Sequence, residues 1–590
     1  MSDLPADTLP LDDIRVVDLS TTVPGASATR FLADYGADVI HVEPPGGSGL
    51  RQLHGYPYLG RGKRSIVLDL HDAADLDTAR ALAADADVVV STWRPGVAER
   101  LGLDHAALSA ANPGLVSAEI SGFGSAGPWR DIKGYEGLVM AKLGLFNSSR
   151  RMVERDGPAY VAVPYGNWGA AMGCVQGVLT ALIAREDSGI GQRIETNLVQ
   201  GLDANDCWNW YTHLVGTRYP DAYRNVEMYD DNREPAGYFV YPLLVVPTAD
   251  GHWLQFAQTQ THLLKAFIEE LGLTEMLAEP YWEGFPHFED RERRVKLWEI
   301  MLQRVRQRTL AEWDHVFETN LSVSAEQFRH GRDVLSHPQL VFDGRGETIE
   351  DPEYGTVQVP STLVHADERP YTSGQLIPRL DEHGEQLRAT AGTRAAPTAL
   401  PATDGAAGAD RLPLEGVTIV DLAMMFAAPH GTTMLTDLGA RVIHVEALEG
   451  DQIRYLVEFP EVGGARVMQG KESICVDVRT DEGKAIVQEL LRRADAVMCG
   501  YRAGAAQRLG MDEVSVRAMN PGVVYLNAPG YGTGGPFGAR AAYAPSIGAA
   551  ASFALASVPD AAEGTREMDL DQVKRAAVRL TSGSASASVT

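Results

Sequence analysis

The chain is poor in the features that signal metal, disulfide or membrane chemistry. Its four cysteines, Cys174, Cys207, Cys475 and Cys499, are scattered over 590 residues without a CxxC pair. That excludes a zinc ribbon or a disulfide scaffold and fits a reducing compartment. The longest apolar stretches, 172–184 (broken by Gln176) and 547–558, fall short of the roughly 20 residues that a membrane helix needs. Residues 1–12 carry acids and prolines with no apolar core, unlike a signal peptide. No Walker A, HExxH or GxSxG pattern occurs. Positive charge is scarce: 52 basic residues against 79 acidic ones give −27, so there is no basic field for nucleic acid. With 45% hydrophobic and 22% charged residues, the composition excludes wholesale disorder and provides for several cores. The expectation is an acidic, soluble, cytoplasmic, multidomain protein that binds neither nucleic acid nor membrane.

The chain repeats itself. IRVVDLSTTVPGASATRFLADYGADVIHVE (14–43) matches VTIVDLAMMFAAPHGTTMLTDLGARVIHVE (417–446). The match resumes with GKRSIVLDL against GKESICVDV, RPGVAERLG against RAGAAQRLG, NPG against NPG, and GFGSAGP against GYGTGGP. The offset drifts only from 403 to 408, which marks a duplicated domain. Between the copies lies an Ala/Pro/Gly/Thr-rich linker, 388–411. Each copy opens strand, turn, helix, strand, and the alternation continues at the spacing of a parallel, doubly wound sheet. Near residue 203 the composition turns aromatic (Trp208, Trp210, Tyr211, Trp253), then helical and charged, which predicts a separate α+β unit.

These signals divide the chain into a tail (1–10), the first part of the copy 1 large domain (11–205), a small domain (206–330), a return to the large domain (331–387), the linker (388–411), a partial copy 2 (412–560) and a C-terminal segment that is a candidate for truncation (561–590). The fold class is α/β: a Rossmann-like large domain split around a small α+β domain, duplicated, with the second copy partial. TSGSASASVT at the end reads as low complexity without a terminal helix.

Both GFGSAG (122–127) and GYGTGG (530–535) spell GxGxxG. They follow the fifth strand and are followed by proline, which favours a tight turn over a dinucleotide fingerprint. Lys63, Arg64, Arg100 and Lys133 are candidate phosphate contacts, against the ordinary alternative of solvated surface charge. The repeat favours two of them, since Lys471 and Arg508 stand at the places of Lys63 and Arg100. Trp93 and Tyr501 also correspond, each beside an arginine, a pairing suited to an adenine and its phosphates. Asn167 reads as the N-cap of a helix starting at 168.

Taken together, LDDIRVVDLS, GADVIHVEPPGG, GRGKRSIVLDL, RPGVAERLG, NPGLVSAEISGFGSAGP, LTALIAREDSGIGQRIETNL, VPTADGHWLQFA and PRLDEHGEQL resemble the class III CoA-transferase family, the CaiB/BaiF group, in a tandem-fused form. The resemblance implies CoA as a substrate with no tightly bound cofactor, and acyl-CoA and a carboxylic acid as partners. It also implies interlocked subunits, here an intrachain pseudo-dimer or a homo-oligomer. The family's aspartate attacks an acyl-CoA thioester and passes through an anhydride and an enzyme thioester. Counting back from ALIAREDSGIGQ (181–192) puts that position at Asn167, a carboxamide and no nucleophile. The second copy shows no match to this segment. The resemblance lays Thr22, Val23, Lys63, Thr92, Trp93, Arg100 and Lys133 along the CoA groove of copy 1, and Lys471, Tyr501 and Arg508 along that of copy 2. Two alternatives accompany transfer: a non-catalytic CoA-binding protein, motivated by Asn167, and an acyl-CoA racemase, against which Tyr135 stands where a histidine is expected.

Overall fold

The computed structural model describes residues 9–205, 215–221, 228–367, 369–394, 411–455, 464, 466–502 and 504–588. Trp208, Trp210, Tyr211, Cys207 and most of the linker lie outside the described residues.

The short β-branched runs of copy 1 form a six-stranded parallel sheet: β1 (Arg15–Leu19), β2 (Asp38–Glu43), β3 (Arg64–Val67), β4 (Val88–Ser91), β5 (Val116–Ser121) and β6 (Arg193–Asn197). The order is β3-β2-β1-β4-β5-β6, the doubly wound arrangement in which the chain reverses direction between β1 and β4. Helices cover both faces, so the strands are apolar on both sides. On one face Val17, Ile40, Ile66, Val89 and Leu115 pack against Leu82 of helix α1 (Ala73–Ala84), whose N-cap Asp72 accepts from the backbone of Ala74 and Asp75. On the other, Val16, Val88, Val116 and Ala118 are closed by α2 (Tyr165–Ser188). Helix α3 (Leu198–Asn205) packs on α2 so closely that a Cβ on Gly201 would lie 2.4 Å from both Ala170 N and Gly166 O.

Helix α2 corrects three expectations. It begins at Tyr165, with Pro164 as N-cap, so Asn167 is inside the first turn and is not the cap. It runs 24 residues, because Tyr165–Ala171 on one side and Arg185–Ser188 on the other carry the helix past both ends of the apolar stretch. By length and composition alone it would pass as a membrane span, and it is half buried against the protein's own sheet.

The small unit contains an antiparallel sheet of β7 (Val245–Pro247), β8 (Trp253–Phe256) and β9 (Ala325–Gln327), with helices Thr261–Glu270, α4 (Arg291–Val305) and α5 (Leu310–Thr319). Helix α5 opens on a capping box between Thr309 and Glu312. Two hairpins follow, β10 (Gly346–Asp351) with β11 (Gly355–Pro360) and β12 (His365–Ala366) with β13 (Arg369–Pro370). They return to the first sheet, where Arg51 donates to Pro378 O and Asp381 accepts from Val67 N.

Copy 2 rebuilds the sheet with five strands, β14 (Thr418–Asp421), β15 (Arg441–Glu446), β16 (Glu472–Cys475), β17 (Ala496–Cys499) and β18 (Val524–Asn527), in the order β16-β15-β14-β17-β18. Helix α6 (Ala427–Thr436) follows β14, and helices α7 (Ala544–Ala550), α8 (Phe553–Ser557) and α9 (Leu570–Ser588) end the described chain. Helix α9 corrects the reading of the tail: TSGSAS continues it, since Ser and Ala tolerate helix once Val573, Ala577 and Leu580 are buried. In chain order α9 is also the counterpart of α2, so copy 2 does have a matching helix, though without a recognisable sequence.

The copies interlock. Val573, Ala577 and Leu580 of α9 share one continuous core with Trp298 of α4 and Trp313 of α5. Polar contacts cross the same boundary: Trp253 Nε1 donates to Thr565 Oγ1 (2.9 Å), Tyr531 OH to Glu326 Oε2 (2.8 Å), and Arg329 N to Ala549 O (3.1 Å).

Candidate active site

In a doubly wound sheet, ligands gather beyond the carboxyl ends of the strands where the order reverses. Here that point lies between β1 and β4, and it holds several of the residues chosen from sequence. Thr22 caps α10, the helix Val23–Asp34 that follows β1, and both Thr21 and Thr22 are exposed. Thr21 N donates to Thr92 Oγ1 at 2.9 Å, tying the loop after β1 to the loop after β4. Gly25 permits this closeness, as a Cβ there would sit 2.4 Å from Ser20 Cβ and 2.5 Å from Thr92 Cγ2. Val23 and Trp93 are half-buried, and Trp93 packs its ring on the core below. Arg100 lies on the short helix Val97–Leu101 with its side chain exposed. In copy 2, Arg508 repeats this on helix Ala505–Leu509, and Tyr501 is half-buried at the place of Trp93.

Lys63 and its repeat counterpart Lys471 have a different role. The Lys63 side chain is 1% exposed, and its Nζ donates to Asp18 Oδ2 (3.0 Å), Ala26 O (2.9 Å) and Thr29 Oγ1 (2.7 Å). Its three protons are spent inside the protein. Lys471 is likewise 1% exposed, on Asp421 Oδ2 (3.0 Å) and Pro429 O (2.5 Å). Each pair bolts the end of the first strand to the start of the following helix. Burial works against the charge on Asp18, but Lys63, with His41, Ser20 and Thr29, outweighs it and holds the carboxyl below its ordinary value. The repeat therefore marked a structural ion pair, and neither ammonium is open to a phosphate.

The copies differ around this pair. His41 is buried, and burial lowers its pKa. Its counterpart His444 lies between Asp421 Oδ2 (3.2 Å) and Asp451 Oδ2 (3.3 Å); burial opposes its charge, yet the two carboxylates raise it to about 9. Asp451 replaces Ser48 at this point and also accepts from Met425 N, whose φ of +67° places the loop after β14 in the left-handed region.

At the start of α2, Asn167 is half-buried and its carboxamide makes no hydrogen bond to the described residues. Its backbone N–H donates to Glu136 Oε1 at 3.0 Å, and Gly166 N–H also serves that carboxyl. Glu136 opens the helix Glu136–Lys142, α11. Burial pushes its carboxyl up to about 7, against the two N–H donors, which pull it down. Lys133 and Tyr135 are exposed beside it, the Lys133 ammonium 5.9 Å from the Tyr135 ring centroid. Sequence reasoning passed over Glu136; the clue available was an acid at the first position of a helix, with Ala544 at the matching place in copy 2. The glycines of GFGSAG serve close packing: a Cβ on Gly122 would lie 2.3 Å from Gly134 Cα, just ahead of Tyr135.

Among the described residues, copy 2 has no equivalent carboxyl. Ala544 stands where Glu136 would, Asp569 is engaged with Gln572 in capping α9, and Asp571 is 76% exposed beside Lys574. A cavity of about 400 Å³ lies elsewhere, between the small sheet and copy 2, lined by His252, Arg329, His330, Asp333, Leu555 and Ala562 among others. None of the residues chosen from sequence lines it.

Comparison with known proteins fits this arrangement. The family model for CoA-transferase family III matches residues 11–384 and 414–569, so the chain belongs to that family, in two tandem segments. It is 26% identical over 571 residues to the CoA-transferase/lyase DddD of Marinomonas sp. (strain MWYL1), covering 89% of this chain and 66% of that protein. It is 28% identical over 391 residues to the succinyl-CoA–D-citramalate CoA-transferase of Chloroflexus aurantiacus, covering 64% of this chain and 93% of the relative. A solved CAIB/BAIF family protein from Brucella suis superimposes with a TM-score of 0.51 at 25% identity, over 65% of this chain and 99% of that one.

Proposed function

We propose that this chain handles acyl-CoA in the copy 1 groove and moves CoA between an acyl-CoA and a carboxylic acid there. Glu136 is the carboxylate available to the reaction, in place of the aspartate that Asn167 replaces. The observation that carries this reading is the half-buried Glu136 carboxyl against the first-turn N–H groups of α2. Thr22, Val23, Thr92, Trp93, Arg100 and Lys133 would line the groove, with exposed Arg100 and Lys133 facing the phosphates. Tyr501 and Arg508 would offer the matching surface in copy 2.

The chemistry follows from the groups present. Ionised Glu136 attacks the thioester carbonyl carbon, the C–S bond breaks, and CoA leaves as thiolate with an acyl-glutamyl anhydride on the enzyme. The thiolate then attacks the glutamyl carbonyl, releasing the first acid as carboxylate and leaving glutamyl-CoA thioester. The incoming carboxylate attacks that thioester, and returning thiolate takes the new acyl group, which restores Glu136. The Asn167 carboxamide donates to the oxyanion formed at each addition. A non-catalytic, CoA-binding reading is motivated by the same Asn167, since a carboxamide forms no anhydride.

The test is CoA exchange by the purified chain, with labelled free acid and several acyl-CoAs, read alongside intact mass. Transfer predicts exchange that is lost in Glu136→Gln and an adduct that maps to the 130–142 peptide. CoA binding without exchange supports the non-catalytic reading. An adduct on another residue overturns the role given to Glu136.

A further inference from the structure

The two sheets differ in what covers their last shared strand. In copy 1, Val116, Ala118 and Ile120 of β5 lie under α2 and are 0%, 1% and 3% exposed. The repeat places Val524, Leu526 and Ala528 at the same three points of copy 2. Val524 is 60% exposed and Leu526 42%, while Tyr525, on the opposite side of the strand, is buried. On its outer edge β5 pairs with β6 in parallel, from Ser117 opposite Arg193 to Ser121 opposite Asn197. Among the described strands β18 pairs with β17 alone. Helix α9, which takes the place of α2 in chain order, packs away from this face: Lys574 meets Glu299 of α4 at 2.6 Å, and Met568 O accepts from Arg306.

Polar groups around the bare face repeat those that hold α2 and β6. In copy 1, Asp87 Oδ2 accepts from Arg15 N, and its Oδ1 takes Arg185 Nη1 of α2 at 3.2 Å. Arg185 also donates to Gly114 O at 3.1 Å. In copy 2, Asp495 Oδ2 accepts from Thr418 N in the same way, but its other oxygen has no partner among the described residues, and Gly522 is exposed. Ser125 binds Glu195 of β6 through both its N–H and its hydroxyl, each at 2.6 Å. Its counterpart Thr533 is exposed.

We infer that this face of copy 2, Val524 and Leu526 with the β18 edge, Asp495 and Thr533, is a docking site for a helix–strand polypeptide segment. The occupant has the chemistry of α2 and β6: a helix with a small, aliphatic face that ends in arginine, followed by a strand that adds in parallel to β18 and carries a glutamate. Apolar burial supplies affinity, backbone pairing adds the strand, and the arginine on Asp495 sets the register.

The probe is a synthetic peptide of residues 165–197 of this chain, added to the full protein and read by amide hydrogen exchange over 523–528. Binding is expected to slow exchange there by about tenfold or more. Leu526→Glu, at a site already exposed, is expected to weaken binding by about tenfold or more without loss of fold. Asp495→Arg should weaken it as well, and a peptide carrying Arg185→Glu should restore binding to that variant. No protection in the unaltered protein overturns the inference. So does self-association of the chain through this face, seen as a dimer in sedimentation that Leu526→Glu dissociates.

Discussion

Removing the Lys63 ammonium separates a structural from a ligand-binding role. In Lys63→Met, Asp18 would remain fully buried, keeping Thr29 Oγ1 at 2.7 Å and Ser20 N at 2.9 Å but losing the buried ammonium at 3.0 Å. Breaking a buried pair from one side costs about 3–5 kcal/mol, because a carboxylate is left uncompensated. For a folding unit of 150–250 residues, that is a fall in melting temperature of roughly 6–20 °C. The Asp18→Asn/Lys63→Met double variant removes the stranded charge and should recover a large part of the loss, since the two sites share one interaction. The assays are thermal unfolding and CoA binding, measured on each variant at a temperature where it is folded. A melting point within about 2 °C of the unaltered protein, together with a tenfold loss of CoA affinity, would refute the reasoning and return Lys63 to the phosphate groove.

Three further outcomes are expected. Because the Glu136 pKa is raised, the folded state holds its proton better than the unfolded chain does. Its contribution favours folding most below the ordinary carboxyl value and is lost as pH rises through about 7. A carboxyl carbon-13 titration with its midpoint near 7, absent in Glu136→Gln, checks this, and a midpoint near 4.5 contradicts it. The raised pKa of His444 gives copy 2 stability that is fully present below about 6.5 and lost as pH rises through about 9. His41, with its pKa lowered by burial, gives copy 1 no such loss, so protection of peptides over 441–455, taken relative to the intrinsic exchange rate at each pH, should fall across that window while that of peptides over 38–48 does not. Gly201→Ala would drive a methyl to 2.4 Å from the backbone of α2, and a loss of about 1–3 kcal/mol in denaturant unfolding is expected; a change below about 0.5 kcal/mol would mean that α3 can shift freely.

The sequence by itself determined the plan of this protein. Short continuous apolar runs alternating with helical ones specify parallel strands buried on both faces, and a near-constant offset specifies that the plan is used twice. It also put Asn167 near the start of a long helix, which the first turn of α2 bears out. Tertiary structure decided what the matching residues do. Lys63 and Lys471 recur whether they bind phosphate or brace a strand to a helix, and only their 1% exposure and internal acceptors distinguish the two. Glu136 reads as one more surface acid until folding sets it against the N–H groups of α2, where desolvation raises its pKa. The pattern V-Y-L at 524–526 reads as any half-buried strand does, yet its outward side is exposed, because α9, the counterpart of the helix that covers β5, spends its apolar face on the small unit of the other copy. Periodicity states which side of a strand is apolar; only the packed chain states what, if anything, lies on it.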